Sequence, residues 1–285
     1  MATALRNVLL LGGAGTLGPS IIKALLAEGT FKVSVLSRPD SKSTFPPDIK
    51  RLTSDFTQSS LVESFKGQDA VVDLLAQSSL DDRKKLIDAA AEAGVKRFIP
   101  SEFSGNMENK VNVSILPMFA ERVAVREYAK AKADASPDFS FTTVSNGPFY
   151  DWAIKNGFLG FNIETFTATI YGDGDQPSSV TTLSSVGRAI AGILSKPAET
   201  ANKCLFVASF TPTQNQILAT LEEVTGKKWS VNKISITDAI THGFQALGQG
   251  DMSGFMGVLM GSTYGPGNGN DFPKNVGVSN ELLGL

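Results

Sequence analysis

Apolar and polar positions along the chain follow two alternating rhythms. Short apolar runs give way to longer stretches in which apolar residues return every three or four positions, the repeat that marks one face of a helix. Residues 8–11, Val-Leu-Leu-Leu, read as a buried strand. A helix follows over 19–28, with Ile21, Ile22, Leu25 and Leu26 on one stripe. Further strands are expected at 32–37, 49–56, 70–76, 97–100 and 139–145, and helices at 61–65, 82–93 and 117–133. Gly94 stops one of these helices and Pro117 opens another, each at the position its backbone favours. Strands separated by helices predict an α/β fold, a doubly wound parallel sheet of the Rossmann type, in the order 3-2-1-4-5-6.

The rhythm changes beyond Gly147. Strands are expected at 166–170, 204–208 and 229–236, and helices at 183–194, 213–224 and 237–247. The reading is a dinucleotide-binding Rossmann domain over 1–150 and a smaller α/β substrate domain over 151–285, with a strand near 203–209 returning to the first sheet. Residues 248–285 are rich in Gly and Asn. They read either as a loose surface tail or as a Gly-rich C-terminal lid over a substrate.

The first strand runs directly into Gly12-x-x-Gly15-x-x-Gly18, and a helix follows. A tight turn after a buried strand needs residues without a Cβ. A pyrophosphate must also approach backbone N–H groups closely, and a new helix offers free donors and a positive dipole end. Gly12, Ala14, Gly15, Thr16, Leu17 and Gly18 are therefore expected to cradle the diphosphate of a dinucleotide. An NAD site places an acidic residue about 20 residues further on, to hold the ribose hydroxyls. The second strand here ends Ser37-Arg38-Pro39 instead. Arg38 suits a ribose 2′-phosphate, Ser37 and Lys42 add a hydroxyl and a charge, and the expected cofactor is NADP(H). Asp40, close behind, argues the other way.

Composition narrows the chemistry. A formal net charge of −2 gives no reason to expect nucleic acid or an anionic membrane as partner. One cysteine, Cys204, leaves no internal disulfide and no Cys-rich zinc site, and no metal is expected. One histidine, His242, would have to serve any Ser-His-Asp triad, and it sits in a late helical stretch. The start, 1–7, leads into an apolar run too short for a signal peptide or a membrane span. The expected address is cytoplasmic, and the expected partner is a small-molecule substrate, bound by a monomer or a homodimer.

The loop Gly12-Gly13-Ala14-Gly15-Thr16-Leu17-Gly18, the helix segment Leu86-Ile87-Asp88-Ala89-Ala90 and the block Lys96-Arg97-Phe98-Ile99-Pro100-Ser101-Glu102-Phe103 together resemble the NmrA-like, or isoflavone reductase-like, branch of atypical short-chain dehydrogenases. Ser145-Asn146-Gly147-Pro148-Phe149-Tyr150-Asp151-Trp152 and Thr181-Thr182-Leu183-Ser184-Ser185-Val186-Gly187-Arg188 are similar to its fungal members. The resemblance implies an NADPH-binding domain facing a smaller substrate domain, and reduction of small, often aromatic, natural-product-like molecules. Ligands in such folds lie at the carboxyl ends of the strands. Ala76, Gln77, Ser101, Phe103, Asn146, Gly147, Pro148 and Phe149 would line the nicotinamide half.

The chain departs from the family pattern at one telling position. Family reductases typically carry Phe-x-x-Lys at the start of the helix after the fifth strand; here the stretch reads Phe119-Ala120-Glu121-Arg122. Lysine can give up its proton when buried, and arginine effectively cannot. Arg122 can hold the cofactor or a developing anion, while Glu102, Tyr150 and Asp151 are the substitute candidates for moving a proton. Tyr128-x-x-x-Lys132 imitates the catalytic pair of standard short-chain dehydrogenases. It lies too far along its helix: at about 1.5 Å per residue, Tyr128 is about 9 Å beyond Arg122. Three functions remain open on these grounds. One is an NADPH-dependent oxidoreductase acting on a C=C, C=O or C=N group. Another is an NADP-binding, redox-sensing regulatory protein, and the third a biosynthetic enzyme coupling NADPH reduction to a cyclisation.

Overall fold

The computed structural model describes residues 4–285; the first three positions, part of the stretch weighed as a leader, lie outside the described residues. The described residues form ten strands: β1 (Asn7–Leu11), β2 (Lys32–Ser37), β3 (Lys50–Thr53), β4 (Ala70–Asp73), β5 (Arg97–Ile99), β6 (Ser140–Ser145), β7 (Phe161–Asn162), β8 (Thr167–Tyr171), β9 (Lys203–Phe206) and β10 (Ser230–Ile234). Seven of them make one parallel sheet in the order β3-β2-β1-β4-β5-β6-β9. The fold is the expected doubly wound Rossmann sheet, with β9 returning beside β6 in the register Thr143↔Cys204.

Alternation along β1 explains why the sheet is covered on both faces. Val8 and Leu10 point to one side, where Ile21 and Leu25 of helix Gly18–Ala27 pack with Ile190 and Leu194 of helix Leu183–Ser195. Leu9 and Leu11 point to the other, among Leu61 and Phe65, Leu86 and Ala90, and Val125 and Ala129. Gly187 lets helix Leu183–Ser195 close on the first helix, because a Cβ there would overlap the Ser20 carbonyl oxygen.

Arg97 is almost fully buried, yet every part of its guanidinium is used. Nε donates to Ser140 Oγ at 2.8 Å, Nη1 to Thr142 Oγ1 and Thr200 Oγ1, and Nη2 to the Pro197 carbonyl. It ties β5, β6 and the helix Pro197–Thr200 together, a structural use of the Lys-Arg-Phe-Ile block.

A second, three-stranded sheet has the order β10-β8-β7, with β10 parallel and β7 antiparallel to β8. Trp229 anchors its core, edge-on to both Phe161 and Phe166. The smaller α/β body is therefore present, and the packing interleaves it with the first: helix Leu183–Ser195 and Leu283 near the C-terminus both join the core of the large sheet.

Two expectations change in detail. The strand expected over 70–76 ends at Asp73, whose Oδ1 accepts from Leu75 N–H at 2.9 Å and turns the chain away from the sheet. The Gly- and Asn-rich segment is packed into the molecule. Helix Gly254–Tyr264 buries Val258, Met260 and Tyr264, and Asn268 and Asn270 are both buried.

Candidate functional site

The carboxyl ends of β1, β2 and β4 frame a cleft of about 890 Å³. Its floor is the glycine loop. Gly12 adopts φ of 75°, and a Cβ on it would stand 3.1 Å from the Leu74 carbonyl oxygen. Gly15 N–H donates to Gly12 O at 2.9 Å and closes the turn. Gly18 brings the helix against the loop, since a Cβ there would overlap the Gly13 carbonyl. Ala14, Gly15 and Thr16 are exposed, while Leu17 belongs to the core. Helix Gly18–Ala27 has no side-chain cap at its N-terminus. Gly18 N–H donates to the Gly15 carbonyl at 3.2 Å and Pro19 has no N–H, so Ser20 N–H is the first-turn amide left for an anion, beside those of the exposed loop. This cradle fits a nucleotide diphosphate.

Ser37 and Arg38 stand on the cleft wall at the tip of β2, together with Asp40. Arg38 is exposed and, among the described residues, forms no ion pair. Lys42 is exposed but does not line the cleft; Arg51, absent from the sequence reading, pins that loop by donating to the Ser41 and Ser43 carbonyls. Ala76 and Gln77 form the opposite wall. Phe45 and Phe56 complete it; they were missed because isolated phenylalanines in connecting segments carry no periodic signal.

A second concavity, a chamber of about 160 Å³, lies at the ends of β5 and β6. Phe103, Gly147, Pro148 and Phe149 line it rather than the larger cleft. Gly147 takes φ of 62°, which lets its backbone pass against the Ser179 carbonyl. Phe119, Trp152 and Phe158 add rings, and Leu259 and Met260 of helix Gly254–Tyr264 form the far wall. Among the described residues, no Asp, Glu, Lys, Arg or His lines the chamber.

Ionisable groups gather behind this edge. Asp73 and Arg83 pair at 2.7 Å, both buried, and Arg83 also donates to the Leu75 carbonyl. Glu102, with 1% exposure, pairs with Arg126 at 3.0 Å. Burial pushes its carboxyl up to about 7, against the pull of Arg126 and Arg122. Its Oε2 is sealed from solvent near the Thr143 hydroxyl, and neither makes a well-formed hydrogen bond among the described residues. Arg122 is half-buried in a recess of about 150 Å³ beside Ala76 and Gln77. Burial, and then Arg83, depress its pKa below the ordinary arginine range, though a guanidinium keeps its proton.

The other sequence candidates fall apart in space. Ser101 and Asn146 lie at the same strand ends but line neither concavity. The Tyr150 ring packs edge-on to Phe210, with centroids 5.7 Å apart, outside the chamber lining. Asp151 is exposed, and its carboxylate accepts from Leu183 N–H at 3.1 Å. The decoy pair is occupied elsewhere: Tyr128 donates to Asp88 at 2.8 Å, and Lys132 pairs with the same carboxylate. His242 is exposed.

This is the architecture of a dinucleotide-binding oxidoreductase fold. The profile of the NmrA-like family matches residues 5–242, and the chain belongs to that family. It is 36% identical to oxidoreductase aprR of Aspergillus flavus over 98% of this chain and 94% of that one. It is 34% identical to oxidoreductase poxI of Penicillium oxalicum over 82% of this chain and 75% of that one. Among solved structures, AtPrR2 with NADP+ and (+)pinoresinol superposes with a TM-score of 0.73 at 24% identity, covering 99% of this chain and 90% of that one. A ternary complex of leucoanthocyanidin reductase from Vitis vinifera superposes with a TM-score of 0.74 at 19% identity, covering 96% and 93%. The fold is thus shared with structures that hold NADP+ or, in other crystals of the Vitis enzyme, NADPH. Among the described residues, no helix is long and apolar enough to cross a membrane.

Proposed function

We propose that the protein is an NADPH-dependent reductase of a small, largely apolar, aromatic molecule, reducing a C=C, C=O or C=N group. The observation that carries this reading is the pair of concavities on one sheet edge. A polar cleft with a glycine cradle lies at the ends of β1, β2 and β4, and an uncharged aromatic chamber lies at the ends of β5 and β6. The bound cofactor would supply the hydride. The glycine loop would hold its diphosphate, and Arg38 with Ser37 would read the ribose phosphate. The rings of Phe103, Phe149 and Trp152 would exclude water from the reacting face. Arg122, a fixed cation beside Ala76 and Gln77, would hold negative charge there rather than exchange a proton.

The test combines binding and turnover. Wild-type protein is expected to bind NADPH and to oxidise it with at least one member of a panel of aromatic enones, ketones and imines. Deuterium from labelled NADPH should appear in the product. Arg38→Ala should weaken NADPH by about 10–100-fold, the loss of a charge-assisted contact, with NADH little affected. Tight NADPH binding with no oxidation across the panel would defeat the reductase reading.

A further inference from the structure

The chamber is poor in free polar groups, and its polar side chains can be accounted for one by one. Ser262 Oγ donates to Asn112 Oδ1 at 2.9 Å. Thr263 Oγ1 donates to the Leu259 carbonyl at 2.8 Å. Asn270 Nδ2 donates to the Ser262 carbonyl, and its Oδ1 accepts from Asn106 N–H and Asn112 Nδ2. Each therefore spends its donor on the protein. Ser104 differs. Its carbonyl accepts from the Asn146 and Gly147 amides, both at 3.0 Å, which fixes its backbone against β6. Ser104 is half-buried and lines the chamber, and its hydroxyl, among the described residues, makes no hydrogen bond. The Trp152 indole N–H is the one other uncommitted side-chain donor on the lining, and its ring is held against Phe158 with centroids 4.7 Å apart.

Size and charge restrict what the hydroxyl meets. An engineered apolar cavity of about 150 Å³ accepts one benzene ring, and this chamber is about 160 Å³, with the polar side chains of Ser262, Thr263 and Asn270 committed to the protein. With no cation among its lining residues, it offers an anion no opposite charge to offset desolvation. Within the reductase reading above, on which this rests, we infer that Ser104 is the specificity-determining residue of the chamber. Its hydroxyl donates to a carbonyl or ether oxygen on a neutral, single-ring portion of the substrate. A carboxylate-bearing ring is rejected. The placement follows from the strand: Ser104 forms a parallel bridge with Ser145 at the carboxyl ends of β5 and β6, so a ring it orients lies at the edge shared with the cofactor cleft.

The test uses three probes of nearly equal shape: acetophenone, ethylbenzene and benzoate. Each is titrated into the isotope-labelled full chain by NMR, with and without saturating NADP+. Wild type should bind acetophenone about 3–10-fold tighter than ethylbenzene, the range of one net hydrogen bond, and benzoate least. Ser104→Ala should bring the acetophenone-to-ethylbenzene ratio to about one, the hydrogen-bond advantage lost, leaving ethylbenzene unchanged. Ser104→Thr should restore the preference. The inference is overturned if Ser104→Ala keeps the ratio, if Trp152→Phe rather than Ser104→Ala erases it, or if benzoate matches acetophenone. It is equally overturned if no probe binds the chamber. The parallel NADP+ titration reports on the cofactor reading separately, so its failure is not confused with this one.

Discussion

Glu102 shows what a residue's identity conveys and what it withholds. The sequence marks it as a carboxylate at the end of the fifth strand, a natural place for proton chemistry. It does not reveal that Arg126, one helix away, meets it at 3.0 Å, nor that Oε2 is sealed without a well-formed hydrogen bond among the described residues. Those facts depend on how helix Pro117–Ala135 lies across the sheet, a tertiary property with no local signal. They carry a measurable consequence. Burial raises the folded-state carboxyl from 4.5 to about 7. Below 4.5 both folded and unfolded chains hold the proton, and the group costs nothing. As pH rises, the unfolded chain releases its proton first, so stability falls until the folded carboxyl also ionises near 7. The fall is about 3 kcal/mol, from 1.36 kcal/mol per pKa unit. Glu102→Gln removes this titration. Subtracting its urea-unfolding free energies from those of wild type should give a curve that descends by about that amount between pH 4.5 and 7.5 and is level on either side. A difference curve that stays flat would show that the carboxylate is not penalised in the fold.

At the level of elements, the legible parts are those that obey a period. The glycine loop, the strand order through β6 and the helices of the large sheet follow from alternation, helical stripes and punctuation by Gly and Pro. Helix Lys110–Ile115 and strand β7 escape that method, being too short to show a repeat. Helix Leu183–Ser195 illustrates an end assembled from two distant pieces of sequence. Thr182 Oγ1 accepts from Ser185 N–H at 3.2 Å, as a local cap. Asp151, 32 positions earlier, accepts from Leu183 N–H and satisfies a second orphan donor. A residue weighed for proton transfer is therefore placed where a helix needs an acceptor. Thr182→Ala should lower stability by about 1 kcal/mol, and Asp151→Ala by about half that, since its carboxylate stays solvated. Both should appear as lower denaturation midpoints at unchanged m. If Asp151→Ala left the midpoint alone and instead abolished NADPH oxidation, its role would be chemical and not that of a cap.

Across the whole molecule, the substrate chamber depends on a segment whose composition points away from order. Residues 248–285 carry the glycines and asparagines of a loop, yet they wall the chamber. Burial of Val258, Met260, Tyr264 and Phe272 supplies part of the order, and long-range polar pairing supplies the rest. Asn112 Nδ2 donates to the Asn268 carbonyl at 2.8 Å and to Asn270 Oδ1 at 3.1 Å. Asn106 Nδ2 donates to the Gly269 carbonyl, and Asn109 Nδ2 to the Gly267 carbonyl. The loop after β5 and the C-terminal segment thus exchange hydrogen bonds across more than 150 positions of chain. Asn270 is the hub, since its amide serves both the Asn106 backbone and the Ser262 and Thr263 carbonyls. A buried network of this kind stiffens when complete and is costly when broken, because each orphaned group loses water without gaining a partner. Asn270→Ala should therefore cost about 2–4 kcal/mol, one to two unsatisfied groups after relaxation. It should also raise amide exchange selectively in 104–112 and 254–270, the two segments the network joins beside the chamber, while β1 and β4 stay protected. If the loss of stability were spread evenly over the large sheet, the network would be an ordinary part of the global core. If it stays confined to those two segments, the chamber is a separately opening unit. Its wall would then be fixed for binding by side-chain amides acting together with the apolar cluster of Met107, Leu116, Phe119 and Val258.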